Sequence, residues 1–484
     1  MNKLYFGDNL DILKELNKEY PKGLIDLIYI DPPFNSKRNY NMLFEDIDLV
    51  GVKAQKQAFS DTWSNVSYMD TLKEIANLNQ NLYQLLKTLD NISTSKSGIS
   101  YLTTMAIRIW YMHELLKDTG SFYLHCDPTM SHYLKMICDF IFGEKNFKNE
   151  IIWHYRRWTG NAKAFMKMHD IILFYGKNAK KIKFNVQYTD YTEKSLKRKQ
   201  NYHTRIKGDD VFETSIDERG VKENDVWNIQ YLNPAAKERL GYPTQKPEEL
   251  LEKIILASSK KGDLVADFFC GCGTTIAVAE KLSRKWIGAD ISHIAVKLIS
   301  DRLTSKYGKG VRKKFEIFGF PKDIKSAKML AEETKGGRFK FEAWIIEVML
   351  HGILNESKNQ MGYDGYFTFD FNGDLQKGLI EVKSGKATPT MLNHFIKTLE
   401  DKNGDIGIFV CFEEQVTKNM KIIEKQGGYY KGEYFGTVYP KIQILTVEEI
   451  MNGTEIKKPV SIKTDYKKAQ ADDAYKQEKL NPPN

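Results

Sequence analysis

The sequence predicts an α/β protein with a doubly wound, mostly parallel sheet, followed by a second, smaller α/β unit. Three observations carry this expectation. Up to about residue 304, apolar strand-like runs alternate with helical periodicity. A proline turn and a glycine-rich turn each follow directly on one of those runs. Beyond a basic stretch at 305–337, an amphipathic helix and two further strand candidates begin again. The 484 residues suit two or three domains. With 42% hydrophobic and 28% charged residues, the composition is globular, neither disordered nor fibrous. No apolar run approaches the roughly 18 residues of a membrane span. The opening MNKLYFGDNL lacks the basic-then-apolar shape of an export signal. Five cysteines in so long a chain make no disulfide framework, so a reducing, cytoplasmic setting is expected.

The clearest strands are residues 24–30, 122–125, 171–175, 264–269 and 286–289. Residues 181–240 break the alternation with polar, charged, β-like pieces and read as an inserted module. Residues 305–337 read as a basic linker, 338–452 as the second unit, and 453–484 as a flexible polar tail. Net charge is +9, from 72 Lys and Arg against 63 Asp and Glu. Much of the excess lies in 305–340 and 193–207, which suggests a polyanion, most simply nucleic acid, and double-stranded DNA is the partner expected once the resemblance below is added. Solvated loops would give the same pattern.

The first informative segment is GLIDLIYIDPPFNS (Gly23–Ser36). An apolar strand runs into Asp31-Pro32-Pro33-Phe34, and two prolines cannot continue a sheet ladder. The turn displays a carboxylate, unpaired carbonyls and an aromatic ring. Those groups suit a flipped-out base with an exocyclic amine, whose lone pair is delocalised into the ring. Acceptors gripping its hydrogens would push the nitrogen towards tetrahedral geometry. Stacking on Phe34, worth roughly 1–3 kcal/mol, would offset the cost of extruding the base. A strand ending in a proline turn with a helix-capping aspartate is the plainer alternative.

The second segment is GDLVADFFCGCGTTIAVAEKLSRKWIGADIS (Gly262–Ser292). Strand, glycine-rich turn, helix and second strand lead to Asp290, nineteen residues after Gly271. That is close to the spacing of roughly 20 between a phosphate-loop glycine and a ribose-binding acid. The order is GxGTT, without a third glycine for a pyrophosphate, which favours a nucleoside such as S-adenosyl-L-methionine over a dinucleotide. A generic βαβ crossover is the bland alternative. Both segments end predicted strands, and in doubly wound sheets ligands sit at carboxyl ends where strand order reverses.

These motifs closely resemble amino-directed DNA methyltransferases of the β class. The likeness also takes in GSFYLHCDPTMSHYLKMICDFIFG, NEIIWHYRR, GYPTQKPEELLEKIILASS (Gly241–Ser259) and GDNLDILKEL (Gly7–Leu16). It covers roughly 1–304, with the motifs in that family's permuted order. The resemblance implies a Rossmann-like methyltransferase sheet in which Asp31, Pro32, Pro33 and Phe34 bind the target amine. It further implies that Asp267, Phe269, Gly271, Gly273, Thr274 and Asp290 hold the cofactor. Asp8 would meet the adenine end of the cofactor, and Lys246 would lie in the segment covering its methionine part. Aspartate before Pro-Pro leans towards adenine N6 over cytosine N4. The insert at 181–240, with Tyr188, Tyr191 and Tyr202, stands where the family keeps its target-recognition module.

Other chemistry is set aside. Cytosine C5 methylation needs a thiolate, in that family on a Pro-Cys dipeptide, and none occurs here. His125, Cys126, His132 and Cys138 match no zinc spacing and read as packing residues. His169-Asp170 resembles the family's HD pair and reads as structural.

In the second unit, Phe341, Trp344, Ile345 and Val348 fall at helical spacing. Asp364 then precedes Glu381-Val382-Lys383, and alternation puts Glu381 and Lys383 on one strand face. Two carboxylates, Asp364 and Glu381, can hold Mg²⁺, with the lysine orienting a water. This constellation resembles the PD-(D/E)xK restriction-endonuclease fold of the Mrr-type branch, in which Glu342 matches the helix acid. A silent copy serving as a DNA clamp is the alternative. The expected protein is therefore an adenine-N6 DNA methyltransferase with a restriction-endonuclease-like α/β domain, for restriction-modification or phage defence, with a homodimer as one expected assembly. Rivals are a cytosine-N4 enzyme, a nicotinamide-dependent oxidoreductase and a non-catalytic DNA-binding defence protein.

Overall fold

Nine strands share one mixed sheet in the computed structural model of this chain. The structure describes residues 2–33, 68–92, 96–156, 165–201, 204–207, 210–213, 217–233, 235–242, 244–321, 323–332, 337–355, 362–371, 374–431 and 438–459. The chain opens with β1 (Asn2–Phe6), α1 (Asn9–Glu19) and β2 (Ile25–Ile30). Three helices follow, α2 (Tyr68–Leu78), α3 (Gln80–Ile92) and α4 (Lys96–Leu115). Next come β3 (Leu116–Cys126), α5 (Ser131–Phe142), β4 (Phe147–His154) and β5 (His169–Gly176). The inserted region holds β6 (Tyr188–Thr189), α6 (Glu193–Asn201), β7 (Thr204–Lys207), β8 (Asp210–Glu213), β9 (Val221–Lys222) and β10 (Val226–Asn228). The first unit closes with α7 (Glu248–Ser258), β11 (Leu264–Asp267), α8 (Thr274–Lys281), β12 (Lys285–Asp290), α9 (His293–Tyr307) and β13 (Phe315–Phe318).

Strand order is β10-β4-β5-β3-β2-β11-β12-β1-β13, parallel except where β5 runs against β3 and β4. Alternation along β2 explains the two-sided burial. Ile28 and Ile30 pack with Leu13, Leu86, Met105 and Leu134 from α1 and the α3–α5 side. Leu27 and Tyr29 pack with Leu251, Val278 and Ile299 from α7–α9. After β2 the chain crosses to β3 on one side; after β11 it crosses to β12 on the other. Connections thus leave in opposite directions from two neighbouring parallel strands, which is the switch point of a doubly wound sheet.

The second unit has α10 (Ile324–Glu332), α11 (Gly337–Ala343), a π-helical turn (Trp344–Met349), β14 (Ile353–Leu354), β15 (Gly365–Phe371) and β16 (Asp374–Val382). It continues with α12 (Pro389–Asp401), β17 (Ile406–Cys411), α13 (Lys418–Gln426), β18 (Tyr429–Lys431), β19 (Val438–Pro440), β20 (Ile442–Thr446) and α14 (Val447–Met451). Its sheet runs β14-β15-β16-β17-β20, antiparallel at β14–β15–β16 and parallel from β16 to β20. Phe341, Trp344, Ile380 and Val382 fill one face; Leu379, Leu392, Phe395 and Phe409 fill the other. The periodic helix expected here begins as α11 and widens into the π-helical turn at Trp344.

Two boundaries differ from expectation. Within the stretch expected as a linker, Phe315–Phe318 forms β13, which pairs with β1 in parallel at the end of the large sheet. Phe315 packs on Trp286, ring centroids 5.4 Å apart, and Phe318 stacks on Tyr5 at 4.8 Å. Four residues with one buried and one half-buried ring suffice for an edge strand, and the flanking lysines hid it. The module at 181–240 is also less separate than expected. Its Val226–Asn228 pairs with β4, and Asn185 Nδ2 donates to the carbonyls of Leu256 and Ser259 beside α7. Tyr202, Phe34 and most of the 453–484 tail lie outside the described residues. Among the described residues, no helix is long and apolar enough to cross a membrane. All five cysteines are free and buried.

Candidate active site

The proline turn and the glycine turn meet at one end of the sheet. Strand β2 delivers Asp31-Pro32-Pro33 and β11 delivers Asp267, and the two strands pair in parallel through Leu27 with Val265 and Ile28 with Ala266. Asp31 and Asp267 therefore leave neighbouring strands at the same edge. Their mutual repulsion adds to the upward push on the Asp267 carboxyl. The shared pocket inferred from stretches more than two hundred positions apart rests on this pairing, although Phe34, its expected stacking ring, lies outside the described residues.

The glycine turn expected to hold the cofactor is braced from several directions. Asp267 accepts from the Phe269 amide at 3.0 Å and from Thr275 Oγ1 at 2.6 Å. Asp290 accepts from the amides of Gly271 and Ser292, each at 2.8 Å. Both oxygens of the expected ribose acid thus already hold backbone, and a ribose hydroxyl would use their remaining lone pairs. Gly271 and Gly273 have φ of 48° and 73°, the left-handed region that glycine adopts without strain. Phe268 is fully buried, whereas Phe269 is half-buried at the turn.

Burial pushes the Asp267 carboxyl up to about 7 and that of Asp290 up to about 6, against the hydrogen bonds each accepts. The folded state holds the Asp267 proton more tightly than the unfolded chain, so ionisation opposes folding. That penalty is absent below about pH 4, grows from pH 4 to 7, and is complete above about pH 7. Asp267→Asn is expected to raise the melting midpoint by roughly 2–6 °C at pH 8. A gain that does not shrink on acidification towards pH 4 contradicts this.

The segment Gly7–Leu16 closes the turn from β1. Gly7 N donates to Asp290 O at 3.1 Å and Asn9 Nδ2 to Phe268 O at 2.7 Å. Asp8, expected at the adenine end, caps α1 through Leu10 N and pairs with Arg108 Nη2 at 2.8 Å. Arg302, which sequence reasoning missed, lies buried with Nη1 3.3 Å from Cys272 O and Nη2 2.7 Å from Glu248 Oε1. It sits in α9 with no motif around it, so only the packing exposes its role. Thr274 is buried at the start of α8, with its Oγ1 3.4 Å from Arg302 Nη1.

Lys246 lies in the segment expected to cover the methionine part of the cofactor. Its ammonium pairs with Asp31 Oδ2, on the amine side of the pocket. The same short segment carries Tyr242, whose ring lies 3.3 Å from where a Gly271 Cβ would stand. One segment thus spans both halves of the site. The residues fit a nucleoside cofactor: two buried carboxylates and two left-handed glycines in the turn that leads into α8.

Behind Asp31 is a buried polar cluster. His125 Nδ1 lies 2.9 Å from Tyr29 Oη and 3.9 Å from Asp31 Oδ1, and its Nε2 lies 3.3 Å from Asp170 Oδ2. Asp170 also accepts from Tyr155 at 3.0 Å and Tyr231 at 3.4 Å.

In the second unit, Asp364 Oδ2 accepts from the Val382 amide at 2.8 Å, and Lys383 pairs with Glu381. Glu342 is buried and takes Arg338 Nε at 3.2 Å. Burial, with Asp364 adding, raises the Glu381 carboxyl above its ordinary value, and its Oε2 is buried without a hydrogen bond. The face sharing expected for Glu381 and Lys383 is present. Each carboxylate of the expected Mg²⁺ pair already has a protein partner. Asp364 is committed to backbone and Glu381 to Lys383, and among the described residues no three His, Cys, Asp or Glu gather to hold a metal.

A family model described as DNA methylase matches residues 25–301, more than half of the chain. The type II methyltransferase M.HpaI of Haemophilus parainfluenzae is 31% identical over 195 residues, covering 40% of this chain and 57% of that protein. The DNA adenine methyltransferase YhdJ of Escherichia coli is 28% identical over 294 residues, covering 60% and 80%. This chain thus spans little more than half the length of M.HpaI. Among solved structures, the cytosine-N4-specific PvuII DNA methyltransferase aligns with a TM-score of 0.38 at 15% identity, over 62% of this chain and 86% of that one.

Proposed function

The chain belongs to the DNA methylase family, and from that premise we propose that it transfers a methyl group from S-adenosyl-L-methionine to adenine N6 in DNA at a specific site, within a restriction-modification or phage-defence system. One observation carries the reading: Asp31-Pro32-Pro33 and the Asp267–Thr274 turn leave adjacent parallel strands at their carboxyl ends. Asp267, Phe269, Gly271, Gly273, Thr274 and Asp290 would hold the cofactor, which supplies an electrophilic methyl carbon. Asp31 accepts a hydrogen of the target amine, so its lone pair leaves the ring and attacks that carbon. The nitrogen would gain that carbon as the carbon's bond to the sulfonium sulfur breaks, leaving the neutral thioether S-adenosyl-L-homocysteine, and one amine proton would pass to solvent. Aspartate ahead of Pro-Pro, together with the relative YhdJ, named an adenine methyltransferase, favours adenine over cytosine N4.

Basic side chains of the insert support DNA as the partner. Helix α6 reads EKSLKRKQN, and Arg219 lies 4.6 Å over the Tyr188 ring nearby. The test is incubation of the purified protein with labelled cofactor and unmodified DNA, followed by digestion to nucleosides. N6-methyladenine is expected; N4-methylcytosine selects the other base, and no labelled nucleoside sinks the reading.

For the second unit, the clustering of Glu342, Asp364, Glu381 and Lys383 on helix and strand favours a restriction-endonuclease-like reading. Unmodified DNA in Mg²⁺ is expected to be cut by wild type and not by Lys383→Ala. An uncut wild-type reaction leaves the DNA-clamp alternative.

A further inference from the structure

Asp31 must offer one carboxylate oxygen to the substrate and still stay fixed. Its Oδ2 holds the Lys246 ammonium, a donor in the place where the amine hydrogens would dock. Its Oδ1 faces His125 Nδ1 at 3.9 Å. His125 has no exposed surface and sits on β3, whose Leu124 is in register with Ile30 just before Asp31. The far side of the imidazole meets Asp170 on β5, a buried carboxylate that Tyr155 and Tyr231 also bond. The indole of Trp153 lies edge-on to the ring, centroids 5.4 Å apart. Three adjacent strands thus line up carboxylate, imidazole and carboxylate behind the turn.

We propose that His125, held in place by Asp170, is a positioning residue for methyl transfer: it fixes the orientation of Asp31 from the Oδ1 side while Oδ2 is given to the target amine. The inference rests on the methyl-transfer reading above. Stability alone does not account for the cluster, because burying polar groups carries a desolvation cost that their mutual hydrogen bonds at best offset. Although burial pushes the Asp170 carboxyl up, its contacts with His125, aided by Lys246 and Tyr155, outweigh it and keep Asp170 below the ordinary carboxylate value. The dyad is therefore a buried, hydrogen-bonded support placed beside one edge of Asp31. His125 Nδ1 is held by Tyr29 Oη at 2.9 Å, so at 3.9 Å it meets Asp31 Oδ1 as a fixed polar wall that limits turning about the Cβ–Cγ bond, without a hydrogen bond of its own. Misplacing a reacting group by about 1 Å costs on the order of 100-fold in rate.

The experiment compares wild type, His125→Gln, Asp170→Asn and the double variant in methyl transfer, cofactor affinity and melting midpoint. Each single variant is expected to lose roughly 30–100-fold in kcat, with KM for DNA and cofactor affinity within about threefold of wild type. The double variant is expected to lose no more than the worse single one, because the two act as a unit. Folded His125→Gln working within twofold of wild type overturns the proposal, as do independent, multiplying losses. If His125→Gln fails to fold, Asp170→Asn decides by the same split: a fall confined to kcat supports positioning, and unchanged kcat overturns it. Wild type without transfer activity would instead sink the methyl-transfer reading itself.

Discussion

Asp31→Ala is expected to reduce methyl transfer by at least about 10²–10³-fold, the range seen when one preorganised transition-state hydrogen-bonding group is removed. Cofactor affinity should stay within a few-fold, because the turn that would hold the cofactor is braced by Asp267, Asp290, Asn9 and Arg302 and not by Asp31. The loss follows from what the amine requires. An exocyclic amino group attacks poorly until an acceptor draws its hydrogens out of the ring plane, and alanine offers none. It also leaves the Lys246 ammonium, only 11% exposed, without this carboxylate. Equilibrium binding of the labelled cofactor and single-turnover transfer separate the two effects. Transfer at wild-type rate would remove Asp31 from the chemistry.

The second large effect is expected at Gly273. Its φ is 73°, and a Cβ built there would stand 2.4 Å from Ile299 Cγ1. Ile299 is buried in α9 at 1% exposure, so its side chain has nowhere to go. Gly273→Val combines left-handed backbone strain with overpacking, each costing roughly 1–3 kcal/mol. The turn should open at the start of α8, lowering cofactor affinity by at least about tenfold and the melting midpoint with it, since each 1.4 kcal/mol is a factor of ten. Gly310→Val is the control, because nothing lies within 4 Å of its Cβ position. Equal cofactor affinity in the two variants would contradict the argument.

Much of this site was legible along the chain because its signals are local. A strand running into Asp-Pro-Pro, and a strand, glycine turn, helix and acid at fixed spacing, are written in consecutive residues. The bounds were nearly right for the same reason: β2 is Ile25–Ile30 where 24–30 was expected, and β12 is Lys285–Asp290 where 286–289 was expected. The edge strand Phe315–Phe318 was not legible, because it has four residues and its charged neighbours dominate the composition.

From residue order alone came the α/β alternation, the two turns and the kind of ligand each suits. Tertiary structure alone decided that β2 and β11 are neighbours, that Lys246 reaches Asp31, and that Arg302 and the His125–Asp170 pair stand behind the two turns. The physical reason is range. Backbone turns and side-chain alternation depend on residues a few positions apart. Ion pairs such as Lys246 with Asp31 join side chains 215 positions apart, and no local pattern encodes which buried charge will find which.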